Sequence, residues 1–292
     1  MKSSGKTPIY PENEEFMNRY LLIAFAGLLG LCPKISATPL ITNADEITEK
    51  WLFNAGAENG YTDHVPHFKR LFNKMPVRTF LEFGLGFSTK FFIDNCDQVI
   101  SVEFVTPGTG PEWLKYCIDL YRDFDTWVPI AFFAGNGLDT SWARHKYIGS
   151  ESVYKATAYQ PAYHKNYALI DPSYLDNINS FLENHIAIDT IDVAFVDAGV
   201  CIRGDLVQLL FNKAPIIVAH DIYPKNLRHP DTANDYYGYG RILVPKNYIE
   251  IHVPLGVGTS FWVKREDKYL EIICDLQNYV NEILLSKAHQ NE

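Results

Sequence analysis

The stretch TFLEFGLGFSTKFFIDNCDQVISVEF, residues 79–104, decides the fold of this chain. Its first part is an apolar run that ends at Phe83, which is typical of a buried strand. Gly84 and Gly86 follow and allow a tight turn with close backbone approach. The stretch therefore predicts a strand that leads through a two-glycine turn into a further element.

The rest of this stretch predicts a helix over residues 90–95, with Ser88 as its N-cap, and a second strand over residues 99–104. Glu103 lies at the C-terminal end of the second strand, where a carboxylate can accept two hydrogen bonds from a ribose diol. We expect the backbone N–H groups of the turn to face the polar groups of a ligand. The pattern predicts one half of a nucleotide-binding site.

The glycine pattern leaves alternatives open. A tight turn between strand and helix needs glycine in many α/β proteins, so a purely structural turn is one of them. A dinucleotide fingerprint requires a third glycine where this chain has Thr89, which disfavours NAD or FAD. A nicotinamide-dependent oxidoreductase would also carry a Tyr-x-x-x-Lys pair, and none stands at the expected strand end.

The pattern Glu82-x-Gly84-x-Gly86-x-Ser88, followed by Glu103, resembles the first two motifs of the class I S-adenosylmethionine-dependent methyltransferases, which are Rossmann-like. The resemblance implies that Glu82 helps to hold the amino-acid end of the cofactor. It further implies that the glycine loop passes beneath the cofactor, so that Gly84, Gly86 and Ser88 are cofactor-binding candidates. It also implies that Glu103 binds the ribose. S-adenosylmethionine is therefore the expected cofactor.

A third motif follows the next strand. Residues 112–123 have the spacing of a helix, and residues 128–134 predict the third strand. After it come Asn136 and, three positions later, Asp139. The resemblance implies that Asn136, or else Asp139, meets the adenine, whereas a loop that only needs turn-forming residues is the alternative.

Two more apolar strands, residues 190–196 and 214–219, end at Asp197 and at His220-Asp221. Parallel strands bring such ends to one edge of the sheet, where α/β folds place their chemistry. Two acids and a histidine there can hold a divalent cation such as Mn, Fe or Mg. The resemblance supports this metal site, because metal-dependent O-methyltransferases of class I take ligands from these strand ends. The alternative is helix capping by the two acids and a packed core histidine.

The sequence departs from the family pattern at the position of the catalytic base. Relatives with this architecture commonly have Asp-Gly-x-His after the fourth strand, whereas this chain has Val200 at the histidine position. A base must then come from His220, from a loop residue or from a metal-bound alkoxide. We take His220 and Asp197 as the catalytic candidates, and a catalytically inactive binding or effector protein of this fold as the alternative function.

The C-terminal part predicts an antiparallel hairpin, residues 248–253 and 259–264, and then a helix over residues 266–287. Class I methyltransferases end in this way, and ordinary dinucleotide-binding Rossmann folds do not. The predicted fold class is therefore α/β, with a doubly wound, mostly parallel, seven-stranded sheet and a C-terminal antiparallel hairpin. The predicted function is O-methylation of a small molecule, with a sugar or aromatic hydroxyl as acceptor and a divalent metal as helper.

Composition agrees with one enzyme-sized domain over residues 41–292, since 47% of the 292 residues are hydrophobic. An aromatic-rich insertion at 140–176 and the segment 224–241 are predicted to recognise the substrate. The net charge of −9 argues against a nucleic-acid partner. The five cysteines have no CxxC spacing, which predicts neither zinc nor redox chemistry and favours buried thiols.

Residues 1–40 are predicted to be a flexible N-terminus. Within them, residues 17–37 combine a basic flank, an apolar run and small residues, as a secretory signal peptide does. A buried amphipathic helix is the alternative, and the apolar run is too short to span a bilayer. Export is expected if this segment is a signal peptide and a cytoplasmic location if it is not, and the start of translation at Met1 or Met17 is left open.

Overall fold

The computed structural model of the chain describes residues 41–49, 52–53, 62–105, 110–133, 148–151, 179–180, 182–184, 190–198, 203–222 and 237–290. The chain divides into two units, Met1–Thr42 and Asn43–Glu292, and the architecture below is that of the second. Several predictions concern residues outside the described ones and stay predictions; they involve segment 17–37, Asn136, Asp139, Val200 and most of 140–176 and 224–241.

The second unit contains both helices and strands. In chain order they are α1 Val65–Phe72, β1 Val77–Phe83, α2 Thr89–Asn95, β2 Cys96–Val105, α3 Gly110–Tyr121, β3 Trp127–Phe133, β4 Ile148–Glu151, β5 Val193–Val196, α4 Arg203–Leu210, β6 Ile216–His220, β7 Tyr248–Val253, β8 Thr259–Lys264 and α5 Leu270–Gln290. Short 3₁₀ turns lie at Ala44–Glu46, Tyr239–Arg241 and Asp267–Tyr269.

These strands form one sheet in the order β4-β3-β2-β1-β5-β6-β8-β7. The strands from β4 to β6 pair in parallel, whereas β8 is antiparallel to both β6 and β7. The predicted fold class is confirmed, including both strands of the C-terminal hairpin. The sheet has eight strands among the described residues because the short edge strand β4 lies within the predicted insertion, where the sequence analysis predicted no strand.

The strand order reverses at β1. This strand pairs with β2 on one side and with β5 on the other, so the chain builds the sheet outward in both directions from it. In the register of β1 and β5, Phe83 lies opposite Val196. The two strands therefore end side by side, and in open α/β sheets a crevice for ligands forms outside such a switch point.

Both faces of the sheet are covered, as the alternation of side chains along β1 requires. On one face Phe80 meets the rings of Phe68 on α1 and Phe92 on α2, with ring centroids 5.6 and 4.1 Å away. On the other face Leu81 belongs to the core cluster that contains Leu206 of α4. The fold is thus doubly wound, and its core fixes the strands whose ends carry the site.

The differences from the predicted elements are small. The sequence analysis did not predict α1, which begins with a proline in its first turn, as helices often do. Cys96 and Cys117 are buried as predicted, whereas Cys274 is exposed on α5, which corrects that prediction. Among the described helices none is both long and apolar enough to cross a membrane.

Candidate functional site

The glycine turn packs directly on the end of β5. Gly84 has φ +104°, which side chains other than glycine rarely adopt, and a Cβ there would lie 2.6 Å from the backbone oxygen of Asp197. The Asp197 N–H donates to the carbonyl of Phe83 at 2.8 Å. The two sequence patterns, the glycine turn and the strand end at Asp197, therefore meet at the switch point of the sheet.

Most of the N–H groups in the turn already have partners within the protein. The Gly84 N–H donates to Val102 O at 2.8 Å, and the Leu85 N–H donates to the Glu103 carboxylate at 2.8 Å. The Gly86 N–H donates to the Thr89 hydroxyl at 3.1 Å. The expectation that these three N–H groups face a ligand is therefore wrong, since each one stabilises the turn itself.

Glu82 lies beneath the turn and does not reach its surface. The side chain is fully buried, and its Oε1 accepts hydrogen bonds from Thr89 Oγ1 at 2.8 Å and Ser101 Oγ at 2.5 Å. Burial raises its pKa to about 8, against which the two hydroxyl bonds act. The predicted contact of Glu82 with the cofactor is thus corrected: Glu82 is a positioning residue that holds Thr89, and through Thr89 the Gly86 N–H.

The pKa of Glu82 predicts how stability depends on pH. An acid whose folded-state pKa is raised makes the fold less stable as pH rises from its ordinary value, about 4.5, to about 8, because only the unfolded state ionises there. We expect the free energy of unfolding, measured by urea denaturation, to decline less over this pH range in Glu82→Gln than in the wild type. The difference should approach about 1.4 kcal/mol per pH unit.

The exposed Glu112 of α3 provides the matched control. Glu112→Gln removes the same charge without altering a buried group, so its stability should change with pH as that of the wild type does. Equal pH profiles for Glu82→Gln and the wild type would contradict the proton held by Glu82.

Glu103 and Gly86 remain as the residues best placed for a cofactor. Besides accepting from Leu85, Glu103 is part of β2 next to the turn, and burial raises its pKa to about 7. A Cβ at Gly86 would meet nothing within 4 Å, so there is open space beside this backbone. Hydrogen bonds from Trp113 Nε1 to Leu85 O and from Tyr121 Oη to Gly86 O stabilise the turn.

The predicted helix cap is not found. Ser88 precedes α2 but has helical dihedral angles, and its side chain makes no capping hydrogen bond. Its side chain is buried. Thr89 takes over the local role, since its hydroxyl accepts from Gly86 N–H and donates to Glu82. This explains physically why a threonine stands where a dinucleotide fingerprint would have its third glycine.

The second constellation converges as predicted. One ligand atom each of Asp197, His220 and Asp221 lies within 4.8 Å of the others at the ends of β5 and β6. Between the two carboxylates, however, lies a cation that the sequence analysis missed. Arg203 Nη1 is 2.8 Å from Asp197 Oδ1 and 2.8 Å from Asp221 Oδ2.

This arrangement does not fit a divalent cation between the two carboxylates. A metal ion would bind their oxygens at about 2.0–2.6 Å, in the space that the guanidinium takes. In His220, Nε2 is already paired with Asp63 Oδ1 at 2.5 Å, and Nδ1, which has no hydrogen-bond partner among the described residues, lies 3.4 Å from Asp197 Oδ1. The convergence of the predicted ligands is found, but no step of a reaction is derived through a metal here.

His220 is also a poor general base. Burial opposes its charge, but Asp197, Asp221 and Asp63 together raise its pKa to about 10, so it keeps its proton at neutral pH. Its side chain is only 3% exposed. The prediction of His220 as a catalytic base is therefore corrected: the imidazolium joins carboxylates and does not face a substrate. Asp197, by contrast, stays ionised, because Arg203 and His220 outweigh burial and lower its pKa.

A second histidine completes the interior of the site. The ring of His64 lies 4.6 Å from that of His220 and is fully buried. Neither of its ring nitrogens has a hydrogen-bond partner among the described residues. Burial, and then the charge of His220, lower its pKa to about 3, so His64 is neutral.

The sequence analysis thus missed Asp63, His64 and Arg203. Asp63 precedes α1 and lies 157 positions before His220, and no spacing pattern links the two. Arg203 follows the β5 strand end within a few residues, as a residue that begins a helix, and this nearness to Asp197 was the one available signal. Charge compensation for two neighbouring acids was a reason to look for such a residue.

Fold and site together define a doubly wound α/β protein with a glycine turn at the switch point of its sheet and a carboxylate–arginine–histidine cluster beside it. No protein-family model matches the chain, and no curated protein matches it.

Solved structures of methyltransferases resemble it. The SAH-bound methyltransferase PaMTH1 from Podospora anserina is 14% identical with a TM-score of 0.45, over 89% of this chain and 100% of that one. A putative O-methyltransferase from Klebsiella pneumoniae is 13% identical with a TM-score of 0.44, over 86% and 97%. The MycE methyltransferase of the mycinamycin pathway, in complex with Mg, SAH and mycinamycin VI, is 14% identical with a TM-score of 0.35, over 88% and 63%. Values this low assign neither substrate nor metal to this chain.

Proposed function

We propose that this chain is an S-adenosylmethionine-dependent methyltransferase that methylates a hydroxyl oxygen of a small molecule. The observation that carries the proposal is the turn at the switch point, where the Glu103 carboxylate lies beside a glycine backbone with open space next to Gly86. This is where open α/β sheets bind nucleotide-like ligands. The C-terminal antiparallel hairpin favours a methyltransferase over a dinucleotide-binding fold.

In this proposal the residues of the chain mainly bind and orient the reactants. Glu103 accepts hydrogen bonds from the ribose hydroxyls. The turn under the cofactor is held in place by the side chains of Glu82, Thr89, Trp113 and Tyr121. When bound, S-adenosylmethionine supplies an electrophilic methyl group, which an acceptor oxygen takes up with loss of its proton. Alignment of the two reactants accounts for most of the rate in such a transfer.

Calorimetric titration with S-adenosylmethionine and with NAD, each with and without Mn²⁺, tests the cofactor. We expect heat from S-adenosylmethionine alone, with the same affinity when Mn²⁺ is present. No heat from S-adenosylmethionine would reject the proposal, and heat from NAD would support the nicotinamide-dependent alternative. Methyl transfer itself is measured as S-adenosylhomocysteine formed with panels of sugar and aromatic hydroxyl acceptors.

A second candidate is a protein of the same fold that binds the cofactor and catalyses nothing. The observation that favours it is His220, which is enclosed by Asp63 and Asp197 and cannot take a substrate proton. This candidate predicts normal binding of S-adenosylmethionine and no S-adenosylhomocysteine with any acceptor. Both candidates predict binding of S-adenosylmethionine at the same site. Only the measurement of S-adenosylhomocysteine formation distinguishes them.

The cellular location of the protein is proposed separately from its function and depends on residues 17–37. If residues 17–37 act as a signal peptide, the mature chain begins after them. N-terminal sequencing of the protein from fractionated cells tests this, and an intact Met1 or Met17 terminus in the cytosolic fraction would reject it.

A further inference from the structure

The guanidinium of Arg203 lies where two strands present their carboxylates. A single nitrogen, Nη1, donates to Asp221 Oδ2 just after β6 at 2.8 Å and forms an ion pair with Asp197 Oδ1 at the end of β5, also at 2.8 Å. A shared cation of this kind is what a pair of acids on neighbouring strand ends requires, since the two carboxylates would otherwise repel one another. The chain therefore supplies the positive charge from its own helix α4.

This guanidinium is held on several sides. Its Nε donates to Ala198 O at 2.5 Å, and Nη1 also approaches His220 O at 3.3 Å. The ring of Tyr237 stacks on it, 3.8 Å from the guanidinium carbon to the ring centroid. Because the residue is only 4% exposed, it cannot move out toward solvent without leaving buried partners unpaired.

The backbone that carries Arg203 is equally constrained. The next residue is Gly204, where a Cβ would lie 2.2 Å from Gly238 O. The Gly204 N–H donates to Tyr237 O at 2.8 Å. The first turn of α4 thus packs backbone to backbone against residues 237–238, and this contact sets the depth at which the Arg203 side chain enters the site.

We propose that Arg203 permanently takes the place of a divalent cation in this site, and that it acts as a positioning residue that holds Asp197 and Asp221 side by side without metal. The cluster is then a metal-independent variant of a strand-end metal site. One consequence rests on the proposed function, namely that methyl transfer is insensitive to chelators. The occupancy of the site by Arg203 is independent of that function.

The test is a titration of the purified full-length protein with Mn²⁺, in which the electron paramagnetic resonance signal of free Mn²⁺ reports binding. We expect the wild type to bind no Mn²⁺ at this site. Arg203→Met removes the charge and the donors at similar side-chain length, so its dissociation constant for Mn²⁺ should be at least about tenfold below the highest Mn²⁺ concentration at which the wild type shows no binding. Arg203→Lys keeps a positive charge and should stay without Mn²⁺.

Two controls separate a built site from general attraction of Mn²⁺ to acids. Arg70→Met frees carboxylates in the same way, because Arg70 pairs with Asp275 at 2.6 Å and Glu282 at 3.5 Å, and we expect no gain from it. The double variant Arg203→Met/Asp221→Asn should lose the gain of Arg203→Met.

Stoichiometric Mn²⁺ binding by the wild type that is lost in Asp221→Asn would overturn the proposal. A folded Arg203→Met, as judged by circular dichroism, that gains no Mn²⁺ would overturn it too. If Arg203→Met does not fold, the test rests on the titrations of the wild type and Arg203→Lys. The absence of Mn²⁺ binding in both proteins supports the proposal. A failure of methyltransferase function would appear instead in the S-adenosylmethionine titration, which uses no metal.

Discussion

We expect Gly84→Ala to lower the free energy of unfolding by about 3–5 kcal/mol, measured by urea denaturation. Gly84 has φ +104°, and the added Cβ would lie 2.6 Å from Asp197 O and 2.8 Å from the Ala198 backbone nitrogen. These are main-chain atoms of the neighbouring strand end, so they cannot rotate away as a side chain would. The variant must therefore either separate β1 from β5 locally or distort the turn.

Gly86→Ala is the matched control for this prediction. It places the same methyl group two residues further on, where nothing lies within 4 Å of it. We expect its free energy of unfolding to stay within about 1 kcal/mol of the wild type. Its affinity for S-adenosylmethionine should nevertheless fall, because the methyl group enters the open space beside the turn. Equal destabilisation by both substitutions would contradict this account of the turn.

Glu103→Ala is expected to weaken the binding of S-adenosylmethionine by about 100-fold. Hydrogen bonds to a charged group contribute about 1.5–3 kcal/mol each, and the substitution also leaves the Leu85 N–H without its acceptor. Calorimetric titration measures the change. Glu103→Gln keeps one acceptor oxygen for Leu85 and should bind with an affinity between those of Glu103→Ala and the wild type.

The same residue predicts a pH dependence of binding. Burial raises the pKa of Glu103 to about 7, and only the ionised carboxylate accepts two hydrogen bonds from a ribose diol. The affinity of the wild type should therefore fall as pH is lowered through about 7, and that of Glu103→Gln should not. Glu112→Ala, on the exposed face of α3, is the charge-matched control and should bind as the wild type does. If Glu103→Ala binds normally, the site assignment fails and the fold stands.

Much of the fold was predictable because its signals are local. The strand β1, the turn after it and the hairpin of β7 and β8 are each encoded by a short run of apolar residues and glycines. The doubly wound, mostly parallel sheet also followed from the alternation of strands and helices, whereas the order of its strands was not predicted. The edge strand β4 was not predictable, because four residues within an aromatic-rich segment carry no periodic signal.

The site was predictable only in part. Asp197, His220 and Asp221 were located correctly, because strand ends in a parallel sheet meet at one edge. Their chemistry was not, since a residue type does not tell which groups surround it. Glu82 was expected at the ligand and lies beneath the turn, because its carboxylate finds two hydroxyl donors in the core.

The sequence by itself determined the doubly wound architecture, the position of the glycine turn and the convergence of the strand ends, because these depend on periodicity and on residues close together along the chain. Only the tertiary structure decided what the converging groups do. Asp63 reaches His220 from 157 positions away, and Arg203 enters between two carboxylates because α4 packs on residues 237–238. Charge, protonation and accessibility depend on such neighbours in space, which no local pattern records.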